Sequence, residues 1–93
     1  MIYSYRNSET EKVANGQRSR KLPPDIQSKA FKKLAMLAAA ADPQDLQSPL
    51  SNRFHALDRD RKGQYSIAIN MQWRICFGWS DGGATDVEIT DYH

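Results

Sequence analysis

Apolar residues between positions 24 and 41 fall at helical spacing. Ile26, Ala30, Leu34, Leu37 and Ala41 recur every third or fourth position and line one face of a helix. Pro24 suits the first turn, where its missing N–H would be unpaired anyway, and Asp42-Pro43 ends the run. Lys29, Lys32 and Lys33 are expected on the solvent side. Upstream, "SETEKVANG" predicts a short first helix, with Ser8 and Glu11 at capping-box spacing and Gly16 as its stop. "IYSY" reads as a short strand, "QRSRKL" as a basic loop, and "PQDLQSPL" as an irregular helical turn with a loop.

Past residue 52 the period drops to two. "RFHAL" predicts a strand and "DRDRKG" a charged turn. In "QYSIAI", Tyr65, Ile67 and Ile69 alternate with Gln64, Ser66 and Ala68. In "QWRICFGW", Trp73, Ile75, Phe77 and Trp79 alternate with Arg74, Cys76 and Gly78, and near the end Val87 and Ile89 alternate with Glu88 and Thr90. Asn70-Met71 and "SDGG" supply reversals, so the strands form an antiparallel meander. Helices followed by strands predict an α+β domain, its apolar sheet face against the long helix and Arg74 on the other face.

Composition narrows the class. Ninety-three residues, 40% hydrophobic and 26% charged, predict one globular domain over residues 1–93. The longest apolar run, residues 34–41, is far shorter than the roughly 20 residues that span a bilayer. The opening lacks a secretory pattern, and the one cysteine, Cys76, favours a reducing compartment. A cytoplasmic protein without membrane contact is the expectation. Net charge is +2, unevenly spread. Residues 1–33 hold eight Lys and Arg against three Asp and Glu, whereas residues 63–93 hold one Arg against four acids. A basic front half can serve as a footprint for a polyanion, or simply as a solvated helix face.

Chemistry-bearing residues gather in the strand half: His55, Arg74 and the closing Asp91, Tyr92 and His93. A guanidinium binds phosphate through a planar fork. Imidazole exchanges a proton near neutral pH, and a nearby phenol or carboxylate can donate, accept or orient. Each has a bland counterpart: a mid-strand Arg is ordinarily solvated or paired, here with Glu88 or Asp86, and a terminal His is ordinarily only a tail. Two distant histidines and one cysteine lack the paired spacing of a zinc site, and "DRDRKG" lacks the closing Glu of a calcium loop. No metal or cofactor is expected.

The stretch "GQYSIAINMQWR" with the ending "DYH" resembles the HigB group of the RelE/ParE toxin superfamily. The order of basic start, long helix and four strands is similar along nearly the full chain. The resemblance implies a RelE-like, microbial-RNase-like α+β fold and a ribosome-dependent messenger-RNA endoribonuclease that inhibits translation. It implies a partner, a helix-turn-helix (HigA-like) antitoxin, with operator DNA engaged only through the complex. Carried over by position, the catalytic residues are His55, Arg74, Asp91, Tyr92 and His93. Contacts to RNA or the ribosome fall to Arg18, Arg20, Lys21, Lys29, Lys32, Lys33, Arg59 and Arg61. The chain has Asp58 where the family often carries a lysine, with Arg59 and Arg61 close behind. ParE-like members share the fold but poison DNA gyrase instead; His55 with His93 argues for the nuclease.

Overall fold

The computed structural model describes residues 1–91, the side chain of Arg59 excepted. Helices α1 (Ser8–Ala14) and α2 (Pro24–Ala39) come first. Then follow β1 (His55–Ala56), β2 (Gln64–Ala68), β3 (Trp73–Ser80) and β4 (Gly83–Asp91), which form an antiparallel sheet in sequential order. The α+β arrangement read from the sequence is the one observed. Short 3-10 turns at Pro43–Gln47, Leu50–Asn52 and Arg59–Arg61 carry the chain between layers.

The core lies between α2 and one face of the sheet. Ile26, Ala30, Leu34 and Leu37 meet Ile67, Ile69, Ile75, Phe77, Val87 and Ile89 there, all of them buried. Fully burying an aliphatic side chain of this size is worth about 1.5–3 kcal/mol, which is why the helical stripe and the strand alternation decide the fold together. Phe54, Tyr65 and Phe77 extend the core as a ring stack, with centroids 5.5 and 5.8 Å apart.

Four local expectations are corrected. Asn7, not Ser8, caps α1, its side chain accepting from the Thr10 N–H at 2.9 Å. Helix α2 stops at Ala39, so Ala41 leaves the stripe and is exposed, its N–H donating to Asp45 Oδ2. The "RFHAL" strand shrinks to two residues, because Arg53 turns into the left-handed region at φ 46° just before it. Lys33 is not a surface cation. It is 5% exposed, and its ammonium donates to Asn52 Oδ1 inside the protein. Residue type misleads there, since position 33 lies seven after Ile26 and four before Leu37, on the stripe itself. Lys33 therefore drops out of the RNA-facing set.

Residues 1–10 close the outer edge of β4. Ile2 and Tyr5 form parallel bridges to Ala84 and Val87. Tyr3 N–H donates to the Ala84 carbonyl at 2.8 Å, Arg6 N–H to the Val87 carbonyl at 2.9 Å, and Ala84 N–H to the Met1 carbonyl at 2.8 Å. Further along, the buried Thr10 hydroxyl accepts from Ile89 N–H at 3.0 Å. An open edge would offer these groups to other chains, and pairing removes that liability. The opening "IYSY" is thus an added parallel strand in outline.

Close approach at this edge depends on glycine. A Cβ on Gly83 would stand 2.5 Å from Tyr3 Cε2 and 2.9 Å from the Met1 carbonyl oxygen. Gly83→Ala is expected to destabilise the protein by about 1–3 kcal/mol, the usual range for overpacking. Thermal melting reads the loss, and faster backbone amide exchange at Ala84 would place it at the β4 edge. The hairpin turn beside it uses Asp81 and Gly82, both at positive φ (52° and 79°), as a two-residue reversal between twisted strands requires.

Candidate functional site

The sheet's second face carries the candidate chemistry. Residues directly opposite across a ladder share a face. His55 pairs with Ser66, Ser66 with Cys76, and Cys76 with Glu88, so these four form one row across all four strands. The neighbouring row is Ala68, Arg74 and Thr90. Sequence alternation places Arg74 on this face but leaves His55 open; the register now brings both to it.

This face is not the solvated surface that alternation suggests. Ser66 and Cys76 are 0% exposed and Ala68 is 4% exposed. Charged side chains overlie them. Arg74 Nε donates to Ser66 Oγ at 2.9 Å, and Arg74 Nη2 donates to the Arg53 carbonyl at 2.7 Å. Arg61 donates to Glu88 Oε1 at 3.1 Å and to Gln64 Oε1 at 3.1 Å, and Arg6 approaches Glu88 from the other side at 3.9 Å. Glu88, one of the two acids in sequence reach of Arg74, thus serves Arg61 and Arg6. The other, Asp86, stands in the left-handed region at φ 49° with its N–H on Ser4 Oγ. Burial pushes the Cys76 thiol above its ordinary value; Arg61 and Arg74 pull it down and Glu88 raises it. A buried, protonated thiol is a poor nucleophile.

Asp91 pairs with Trp73, two residues along from the Ile75–Ile89 pair, and Gln72 Nε2 donates to its carboxylate at 3.0 Å. The ladder therefore brings His55 and Arg74 to one face, while Asp91 follows Ile89 at a spacing of two along β4. Tyr92 and His93 lie outside the described residues, as does the Arg59 side chain. Among the described residues, no three His, Cys, Asp or Glu side chains group so as to hold a metal ion, and no helix is long and apolar enough to cross a membrane.

The remaining basic residues belong to the helical layer. Arg18, Arg20, Lys21, Lys29 and Lys32 are exposed. Arg18 and Arg20 flank Ser19, which is 2% exposed and acts as an anchor. Ser19 Oγ donates to Glu9 at 2.6 Å, and Gln27 receives the Ser19 N–H at 2.9 Å while donating to its carbonyl at 2.8 Å. The Ser19 hydroxyl, and after it Lys12, hold the Glu9 carboxyl below its ordinary pKa. The loop is thereby pinned with its two arginines outward. Since α2 packs on the apolar face, this cluster lies across the sheet from Arg74.

Sequence reasoning missed two contributors, Ser66 and the carbonyl of Arg53. The first was legible, because strand alternation puts Ser66 on Arg74's face one hairpin away. The second was not, since a left-handed arginine leaves no mark in the residue pattern.

Comparison with known proteins bears on this arrangement. A family model for the RelE-like toxin HigB of type II toxin–antitoxin systems matches residues 3–93. The chain is 43% identical over 73 residues to Toxin HigB-1 of Vibrio cholerae serotype O1, covering 78% of this chain and 77% of that protein. It is 39% identical over 41 residues to Endoribonuclease HigB of Proteus vulgaris, covering 44% and 45%. Among solved structures, the fold is similar to YafQ of E. coli strain BL21(DE3), with TM-score 0.62 and 17% identity over 98% of this chain and 91% of that one. The E. coli DinJ–YafQ toxin–antitoxin complex matches with TM-score 0.59 and 17% identity over 98% and 90%.

Proposed function

Because the chain belongs to the family of RelE-like HigB toxins of type II toxin–antitoxin systems, we propose that it is a ribosome-dependent endoribonuclease that cuts messenger RNA and stops translation. The observation that carries this reading is the placement of Arg74 and His55 on one sheet face, with the guanidinium held by Ser66 and the Arg53 carbonyl. The relative from Proteus vulgaris, named an endoribonuclease, supports the same chemistry.

In the proposed reaction a base takes the proton of the ribose 2′-OH, and the oxygen attacks the adjacent phosphorus. The bond to the 5′-oxygen breaks, an acid protonates that oxygen, and a 2′,3′-cyclic phosphate remains. Arg74 stabilises the extra negative charge on the phosphorane, commonly the largest electrostatic contribution in such a reaction. Of His55 and His93, one is the base; the other, or Tyr92, is the acid. Asp91, carried over from the family with Tyr92 and His93, orients a histidine or keeps it basic. The 2′-OH makes RNA the substrate.

The antitoxin partner follows from the same family, and DinJ–YafQ is a complex of that kind. A helix-turn-helix antitoxin encoded beside this chain, binding operator DNA in the complex, is part of the proposal, as is action in the cytoplasm. The test is primer extension on a message with ribosomes present and absent: new ends only with ribosomes support the reading. Equal cutting of naked RNA would defeat the ribosome dependence, and no cutting at all would defeat the nuclease.

A net charge of +2 is too small to grip free RNA firmly. Ribosome affinity is therefore assigned to Arg18, Arg20, Lys21, Lys29 and Lys32, with Arg59 and Arg61 nearer the cut. Replacing Arg20, Lys29 and Lys32 with Glu is expected to weaken ribosome co-sedimentation and lower its salt slope by about 3, roughly one per lost phosphate contact. Stability should change by less than about 0.5 kcal/mol per exposed site. Lys33→Glu, by contrast, should fail to fold.

A further inference from the structure

We propose that Ser66, together with the carbonyl of Arg53, sets the aim of Arg74 and is the positioning residue of the ribonuclease site; the role rests on that reading of the site. A serine hydroxyl buried in mid-strand costs free energy unless it is hydrogen-bonded. Ser66 is 0% exposed, and Ala68, two residues along on the same face, shows that a plain methyl packs there at 4% exposure. What the hydroxyl adds is an acceptor 2.9 Å from Arg74 Nε.

The second holder is equally specific. Arg53 stands at φ 46°, ψ 48°, a left-handed conformation that costs a non-glycine residue free energy. That ψ sets the direction of its carbonyl, which receives Arg74 Nη2 at 2.7 Å. Holding a planar group at two of its nitrogens fixes both its position and its plane. A misplacement on the order of 1 Å can cost roughly 10²-fold in rate, so the holders matter although neither touches RNA.

The experiment measures single-turnover cleavage of messenger RNA on translating ribosomes for the full chain and its variants. Ser66→Ala is expected to slow cleavage by about 10–100-fold with half-saturating ribosome concentration changed less than about twofold. Ser66→Thr, which keeps the hydroxyl, should recover most of the rate. Ser66→Ala should add nothing in an Arg74→Ala background, whereas a merely structural serine would slow both backgrounds alike. NMR gives a readout independent of cleavage: the Arg74 Nε–H, assigned by its loss in Arg74→Lys, should exchange slowly in wild type and at least tenfold faster in Ser66→Ala. If Ser66→Ala does not fold, Ser66→Cys, with its weaker acceptor, is read the same way. Wild-type rate and slow Nε–H exchange in Ser66→Ala would overturn the positioning role alone. A wild-type protein that cuts no RNA would overturn the ribonuclease reading and this role with it.

Discussion

Replacing Arg74 with alanine is expected to lower messenger-RNA cleavage by about 10²–10³-fold, the usual cost of removing one preorganised stabiliser of transition-state charge. The loss should fall on the chemical step, because the phosphorane carries charge that the bound message does not. Ribosome affinity should move little, since the exposed cations assigned to it lie in the helical layer. Stability should fall by about 1–3 kcal/mol, the cost of leaving the buried Ser66 hydroxyl without its charged donor. Arg74→Lys keeps the charge but loses the fork that bridges Ser66 and Arg53, so it should recover little of the rate. Single-turnover rates beside thermal melts decide the matter. Equal rates for wild type and Arg74→Ala would remove this arginine from the reaction.

The largest effect on stability is expected at a polar residue. Asn52 is 0% exposed and accepts from the Lys33 ammonium, while its Nδ2 donates to the carbonyls of Leu46 at 3.1 Å and Ser48 at 3.4 Å. Asn52→Ala removes that acceptor from a buried cation and the donors to the buried Leu46 carbonyl and the part-buried Ser48 carbonyl. Leaving a buried charged donor and a buried carbonyl without partners costs at least about 1–3 kcal/mol for each, a large part of the roughly 5–15 kcal/mol that holds a domain folded. Lys33→Met should cost less, because the buried charge and the donor leave together and only the neutral Asn52 Oδ1 loses a partner. Urea titration measures both.

The pH dependence has a definite sign. Burial, and then the charge of Lys29, lower the Lys33 pKa from its ordinary 10.5. Below the lowered value both folded and unfolded chains bind the proton, and the folded chain bears the full burial cost. As pH rises through that value towards 10.5, the folded state sheds the proton first, so the Lys33 contribution to stability increases. The stability gap between Lys33→Met and wild type should therefore shift in favour of wild type as pH rises from 7 towards 10.5, and an unchanged gap would contradict the burial of this ammonium.

Much of the fold was legible because its determinants are periodic. The stripe Ile26, Ala30, Leu34 and Leu37 and the alternations around Ile67, Ile75 and Val87 each announce a face, and together they order the layers. Asp81-Gly82 announces its turn by a residue pair that accepts two positive φ values. The site was legible in part for the same reason, since alternation alone puts Arg74 opposite the core. What escaped depends on contacts distant in sequence. Lys33 lies on the stripe by its spacing, but that a cation can stay buried there depends on Asn52, 19 residues later, accepting its hydrogen bond. His55 joins Arg74 only through a register set by the intervening turns. Ser66 looked like a polar outward position until Arg74 and Arg61 were seen to roof that face.

The pairing of residues 1–10 with β4 has a consequence for how the molecule comes into being. Ile2 and Ala84, or Thr10 and Ile89, are partners from opposite ends of the sequence. Closing so long a loop is entropically expensive and comes late in folding. Helices α1 and α2 can form while the chain is still growing, but the first ten residues have no strand to lie against until Gly83–Asp91 has been made. A chain interrupted before Gly83 also lacks the β3–β4 pairing that holds Arg74 in its row. The growing polypeptide thus lacks both the edge that residues 1–10 cover and the pairing that fixes Arg74 until its last strand is made.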